Sequence, residues 1–278
     1  MVDAALSLTF ECTGGQTLWQ QHSQAGHLQV AQNAHYRWLE FGNGVAQSAF
    51  ARNNPHALAL PYTRWLLAGL MFTTAVERAT LLGLGGGSLA SYLARAGINV
   101  TAVDADPLVV AAAQQFFPLP EQNLDIEVCD AREYLAQPGA HGMDLLLVDL
   151  FTCEGMPSWL AHASFHDACA SALAPGGVVC LNLAVDCAEA LDELLEALRK
   201  AYGNQALAIA VPQHANIIAM AVNGPQPDSW DTLQPRAQAL ERRLGLPFER
   251  MLAAIFYAHG SRHRLRFGAS AASLGLSY

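Results

Sequence analysis

Charge is scarce in this sequence. Asp, Glu, Lys and Arg make up 14% of its 278 residues, against roughly 25% in an ordinary soluble domain. The 15 basic residues are outnumbered by 24 acidic ones, for a formal net charge of −9. A phosphate backbone is held by clustered Lys and Arg. The basic cluster Arg262, His263, Arg264 and Arg266 is short, close to the C-terminus, and reads as a solvated tail. No nucleic-acid partner is expected. The cysteines Cys12, Cys129, Cys153, Cys169, Cys180 and Cys187 contain no C-x-x-C pair and no zinc-ribbon spacing, so no metal centre is expected from them. Several sit in apolar runs, where cysteine behaves as a small hydrophobe, and a reducing cytoplasm is the simplest compartment. The opening Met-Val-Asp-Ala-Ala lacks the basic and apolar regions of a secretory signal. Gly, Pro, His or Asn interrupts every apolar tract before it reaches membrane-spanning length, so no membrane partner is expected.

Apolar residues, by contrast, are plentiful at 52%. That supplies a large core for one big domain, or a big and a small one, with apolar surface to spare for a homodimer interface. Residues 28–50 alternate and turn. Leu28–Val30, Tyr36–Phe41 and Val45–Phe50, with Gly42-Asn43-Gly44 between the last two, predict a small antiparallel meander. From Pro61 the pattern changes. Tyr62–Phe72 has helical spacing. Apolar runs at Ala79–Leu84, Asn99–Val103, Asp125–Val128, Met143–Val148 and Val178–Leu183 then alternate with helical segments at Ser88–Ala96, Pro107–Phe117 and Phe165–Leu173. Ala188–Tyr202 reads as a long helix, and Leu207–Val211 and Ile217–Val222 as the last strands. Trp230–Leu244 looks helical and the final dozen residues loosely ordered. Such alternation predicts an α/β fold with a mostly parallel sheet covered on both faces. The expected organisation is a small β domain over residues 1–56, a Rossmann-like nucleotide-binding catalytic domain over 57–225, and a C-terminal helix and tail over 226–278.

The chemistry gathers at strand ends. Leu82-Gly83-Leu84-Gly85-Gly86-Gly87 lies between a predicted strand and a predicted helix, where a backbone free of side chains can approach a ligand and helix N–H groups face it. Asp104 ends the second strand about 20 residues further on, the place from which a carboxylate can accept both hydroxyls of a ribose. Asp106 competes for that role, or caps the helix that starts at Pro107. Asp130 ends the third strand and Asp149 the fourth, and carboxylates at successive parallel strand ends converge on the crevice where ligands bind. A nicotinamide oxidoreductase shares the first two features, but Ser88 stands where its third glycine would complete G-x-G-x-x-G. His162 and His166 have the i, i+4 spacing of a metal pair and equally that of a helix surface.

Taken together, residues 28 to about 222 resemble the spermidine synthases, the polyamine aminopropyltransferases, which share a methyltransferase-like core. Asn43-Gly44-Val45-Ala46-Gln47 is similar to the family's D-G-x-x-Q turn, Gly85-Gly86-Gly87 to its G-G-G-D-G loop, and Val103-Asp104-Ala105-Asp106 to its V-E-x-D. Cys129-Asp130-Ala131 resembles its G-D-A, Asp149 the first acid of its D-S-x-D-P, and Leu173-Ala174-Pro175-Gly176-Gly177 the turn before its fifth strand. The resemblance implies a seven-stranded methyltransferase-type sheet behind the small β domain. It implies a donor that is S-adenosylmethionine or its decarboxylated form, a small-molecule acceptor, and no metal. Gln47 and Asp104 would hold the ribose, and Asp130 and Ala131 the adenine. Gly83 and Gly85–Gly87, with Ser88, would face the sulfonium end. Asp149 would orient the incoming nucleophile and take its proton, and Tyr62 would line the acceptor site.

Several family acids are missing. Ser88 replaces the aspartate of G-G-G-D-G, Thr152 the second acid of D-S-x-D-P, and Leu60-Pro61-Tyr62-Thr63-Arg64 has no acid beside the tyrosine. A neutral Ser88 removes the repulsion that would exclude the carboxylate of ordinary S-adenosylmethionine. A multiply charged polyamine, once desolvated, needs carboxylates that this site lacks unless Glu154 folds inward. Aminopropyl transfer, methyl transfer to a less cationic acceptor, and a non-catalytic nucleoside-binding homologue all stay open at this point.

Overall fold

The computed structural model describes residues 14–23, 26–42, 44–185, 187–261, 263–268 and 270–274. Asn43, Cys12 and Arg262, which enter the sequence expectations, lie outside them. Four strands come first: β1 (Gln16–Ser23), β2 (Gly26–Gln32), β3 (Tyr36–Glu40) and β4 (Ala46–Ala51), paired antiparallel in that order. The last three are the expected meander. β1 is an addition to it. Its string Gln-Thr-Leu-Trp-Gln-Gln-His-Ser carries little apolar signal and is mostly exposed; pairing along β2, from Gln16 opposite Gln32 to Ser23 opposite Gly26, holds it as an edge strand.

Next comes α1 (Pro61–Leu66), with proline in its first turn. The expected helix over Tyr62–Phe72 tightens at Leu67 into a 3-10 segment that runs to Phe72. The main sheet follows: β5 (Arg78–Leu82), α2 (Ser88–Arg95), β6 (Asn99–Asp104), α3 (Pro107–Phe116), β7 (Leu124–Val128), α4 (Ala131–Leu135), β8 (Met143–Val148), α5 (Ala163–Ala172), β9 (Leu173–Leu183), α6 (Ala188–Ala201), β10 (Ala206–Ala210) and β11 (Ile217–Val222). The strands lie in the order β10-β11-β9-β8-β5-β6-β7, and only β11 runs against its neighbours. This is the expected seven-stranded, mostly parallel, methyltransferase-type sheet.

Alternation along β8 shows how the sheet is covered. Leu145 and Leu147 join the core on one face, and Leu146 and Val148 the core on the other. α7 (Trp230–Leu244) and α8 (Phe248–His259) close the first face; Phe248, Leu252 and Ile255 of α8 are buried there. Within the tail expected to be loosely ordered, Ala271 is buried and its N–H donates to Asp192 Oδ1 of α6 at 2.7 Å. The small sheet lies on α3 through Leu28, Val30, Leu39 and Phe50, which pack with Val109, Ala112 and Phe117.

Candidate active site

β5 pairs with β6 on one side and β8 on the other. The chain therefore leaves the C-terminal end of β5 in one direction and returns beside it from the other, which opens a crevice at the switch point. A cavity of about 290 Å³ lies there, close to the lower end of the roughly 300–1,000 Å³ range of ligand pockets. Gln47, Tyr62, Gly83, Gly85, Ser88, Asp104, Asp130, Ala131 and Asp149 all line it. Nine residues chosen by motif, scattered over a hundred positions, thus meet at one place.

The glycine loop has its own steric logic. Gly83 has φ +97°, and a Cβ there would overlap the Asp149 carbonyl oxygen. The backbones of β5 and β8 come together at this point, where Asp149 N–H donates to the Leu82 carbonyl at 2.8 Å. Gly85, at φ +53°, lies under Ser48 of β4, 3.3 Å from a Cβ placed on it. Gly86 and Gly87 do not line the cavity. Side chains at those positions would run into Phe117 and Leu119, so packing of the neighbouring loop requires glycine there.

Asp104 Oδ2 accepts Leu84 N–H at 2.9 Å and Oδ1 accepts Asp106 N–H at 3.0 Å. Burial pushes its pKa up, against the pull of these backbone bonds. It fixes the glycine loop while facing the cavity. Asp106 takes the capping role: its Oδ1 accepts Leu108 N–H at 2.9 Å at the start of α3. Asp130 caps α4 in the same way and is paired through both oxygens with Arg132, at 2.9 and 2.8 Å. Those side-chain bonds hold its carboxyl below the usual range. The Arg132 guanidinium lies over the Trp159 ring, 4.7 Å from its centroid, so this wall of the cavity presents Asp130, Ala131 and an aromatic face.

Asp149 is the most perturbed acid. Desolvation pushes its pKa up to about 6, opposed by bonds from Asn182 and Tyr62. Tyr62 OH donates to Oδ2 at 3.1 Å, and Asn182 Nδ2 donates to Oδ1 at 2.8 Å. Burial and the adjacent carboxylate push the Tyr62 phenol well up, so it remains a donor. Asn182 in turn accepts from Asn216 Nδ2 at 2.9 Å. Neither asparagine was foreseen. The signal for Asn182 was available, since an amide inside the apolar run Cys180-Leu181-Asn182-Leu183 must find buried partners. Asn216 had no such mark.

At the glycine-loop end the walls are hydroxyls. Ser88 Oγ lies 3.2 Å from Ser48 Oγ and 3.2 Å from the Ala49 carbonyl. Thr152 lines the cavity, whereas Glu154 is exposed and outside it, so the missing acid is not restored from that loop. The His162–His166 spacing does not make a pair. His162 is exposed, while His166 is buried against the Leu160 carbonyl at 2.8 Å and edge-on to Phe165.

Residues 81–181 match a family model described as a methyltransferase domain. A polyamine aminopropyltransferase of Neisseria meningitidis serogroup A is 31% identical over 233 residues, which cover 81% of this chain and 88% of that protein. A probable spermidine synthase from Corynebacterium glutamicum superposes with a TM-score of 0.63 at 21% identity, over 91% of this chain and 96% of that one. A spermidine synthase in complex with the transition state analogue AdoDATO gives 0.67 at 15% identity, over 86% and 85%. The two structural likenesses concern the fold.

Proposed function

The chain belongs to the polyamine aminopropyltransferase family, and from that premise we propose that its cavity transfers an alkyl group from a sulfonium nucleoside to a small amine, with Asp149 taking the amine's proton. It is a transferase, and its co-substrate is related to S-adenosylmethionine. The sulfonium supplies a carbon already bonded to a good leaving group, so alignment and proton removal are what the protein adds. The amine nitrogen forms the new C–N bond, the C–S pair returns to sulfur as a neutral thioether, and one N–H proton passes to Asp149.

The single observation behind this reading is the buried Asp149 carboxyl, poised at about 6 beside a protonated Tyr62 in the crevice at the ends of β5 and β8. A general base works best with a pKa near the operating pH. In this reading Asp104 and Gln47 bind the ribose, Asp130 and Ala131 the adenine edge, and Gly83, Gly85 and Ser88 the region of the sulfonium. Tyr62 lines the acceptor side. The free Cys129, Cys153, Cys169, Cys180 and Cys187 support a cytoplasmic location. Among the described residues, no helix is long and apolar enough to cross a membrane.

Membership of the family supports a first reading with a decarboxylated donor and a diamine acceptor. A second reading, methyl transfer from ordinary S-adenosylmethionine, is favoured by Ser48 and Ser88. Their hydroxyls can donate to a carboxylate and put no negative charge beside it. Calorimetry with both nucleotides and with methylthioadenosine tests the nucleoside site; no binding by any of the three sinks both readings. Incubation of labelled decarboxylated donor with putrescine then separates them. Labelled spermidine above a no-enzyme control supports aminopropyl transfer, and its absence rejects it.

A further inference from the structure

Asn182 is 2% exposed, on β9 between the buried Leu181 and Leu183. Its amide orientation follows from its partners. An ionised carboxylate only accepts, so Asn182 must present Nδ2 to Asp149 Oδ1, at 2.8 Å. Its Oδ1 then faces outward and needs a donor, which Asn216 Nδ2 supplies at 2.9 Å. The Asn216 backbone is fixed in the β10–β11 turn, where its main-chain carbonyl accepts Val211 N–H at 2.8 Å. Neither asparagine lines the cavity. Both therefore reach the reacting groups only through Asp149.

We propose that Asn182, aligned by Asn216, is the positioning residue that locks the Asp149 carboxylate in its ionised form with Oδ2 left for Tyr62 and the acceptor amine. This rests on the reading of Asp149 as proton acceptor. A flipped Asn182 amide would set oxygen against oxygen at Asp149 and leave two NH₂ groups facing each other at Asn216. With Asn216 donating to Asn182 Oδ1, that state would lose a bond at both ends of the amide. A hydrogen bond donated to a carboxylate favours its charged form, so loss of either asparagine should make Asp149 harder to ionise. Around Asp149 the titratable groups are Tyr62 from α1 and, along the cavity wall, Asp104 at the end of β6, Asp106 after it and Asp130 after β7. None of them touches either asparagine among the bonds described.

The test is the pH profile of kcat for wild type, Asn182→Ala and Asn216→Ala. The acidic limb should move up by about one pH unit in Asn182→Ala and about half that in Asn216→Ala. At pH 6.5 turnover falls about threefold in Asn182→Ala and about 1.5-fold in Asn216→Ala, and above pH 8 it returns to within about twofold. Nucleoside Kd stays unchanged. A limb that does not move in Asn216→Ala, or a loss of equal size at every pH, overturns the proposal. Should Asn182→Ala fail to fold, the half-buried Asn216 still decides. Infrared titration of the Asp149 carboxyl, taken as the difference from Asp149→Asn, gives the same shift without turnover. A wild type with no transfer but a titration that responds to Asn216 would reject the function while leaving this coupling in place.

Discussion

Asp149→Asn is expected to abolish turnover and stabilise the fold at the same time. The wild-type carboxyl is raised from 3.8 to about 6 by burial. Keeping it ionised in the folded protein at pH 7 therefore costs about 3 kcal/mol by linkage. The sign is fixed by the direction of the shift. Below pH 3.8 the group is protonated in both states and costs nothing; between about 4 and 6 the penalty grows; above 6 it is complete. Wild-type stability thus falls across that window as pH rises, and the variant lacks this component. Asparagine also fits the partners. Its Oδ1 accepts from Asn182, its Nδ2 faces the Tyr62 oxygen, and the Tyr62 hydroxyl can donate instead to the Gln47 carbonyl, already 3.1 Å away. At roughly 2–4 °C per kcal/mol for a chain of this size, the melting temperature at pH 8 should rise by about 5–10 °C. Turnover should fall by at least about 10²-fold. Paired thermal or urea melts of the two proteins from pH 4 to pH 8 check it, because other titrating groups cancel in the difference. Equal stability at pH 8, or an advantage for the variant as large at pH 4 as at pH 8, refutes the reasoning.

Tyr62→Phe removes a donor to the ionised Asp149, so its acidic limb should also move up, with about a tenfold loss of kcat near pH 6.5 and unchanged nucleoside affinity. Gly83→Ala drives a methyl into the Asp149 carbonyl and should lower the urea-derived stability by about 3 kcal/mol or more. Gly97→Ala, at φ +82° in open space, should lose only about 1–2 kcal/mol in the same measurement. Ser88→Asp should shift the ratio of donor affinities toward decarboxylated S-adenosylmethionine by about 10-fold or more, measured by calorimetry with each nucleotide.

The parallel strands were legible because being buried on both faces leaves continuous apolar runs, as at Leu145-Leu146-Leu147-Val148. The strand-end acids were legible for a related reason: a carboxylate that interrupts such a run marks where the strand leaves the core. β1 left no comparable trace, since an exposed edge strand needs only backbone pairing. α8 was not foreseen, since nothing local separates Phe248–His259 from the mixed tail around it; its partners are the 3-10 segment and the sheet, far off in sequence. Within the site, motif spacing brought nine residues together but said nothing of what each would touch. Asp106 resolved to a cap and Gly86 and Gly87 to packing only when Leu108, Phe117 and Leu119 were seen beside them. The link from Asp149 to Asn216 crosses β8, β9 and β11, and no sequence window contains it.

The hydroxyl contact between Ser48 and Ser88 ties the small sheet to the helix that follows the glycine loop, at the cavity wall. An aspartate introduced at position 88 would find a donor already waiting at position 48, whereas a chain with alanine at 48 would receive the same aspartate unsupported. Position 48 is therefore permissive for change at position 88, and the order of mutation matters. Lineages that exchange one donor for the other are expected to carry the hydroxyl on the small sheet before the charge appears on the helix.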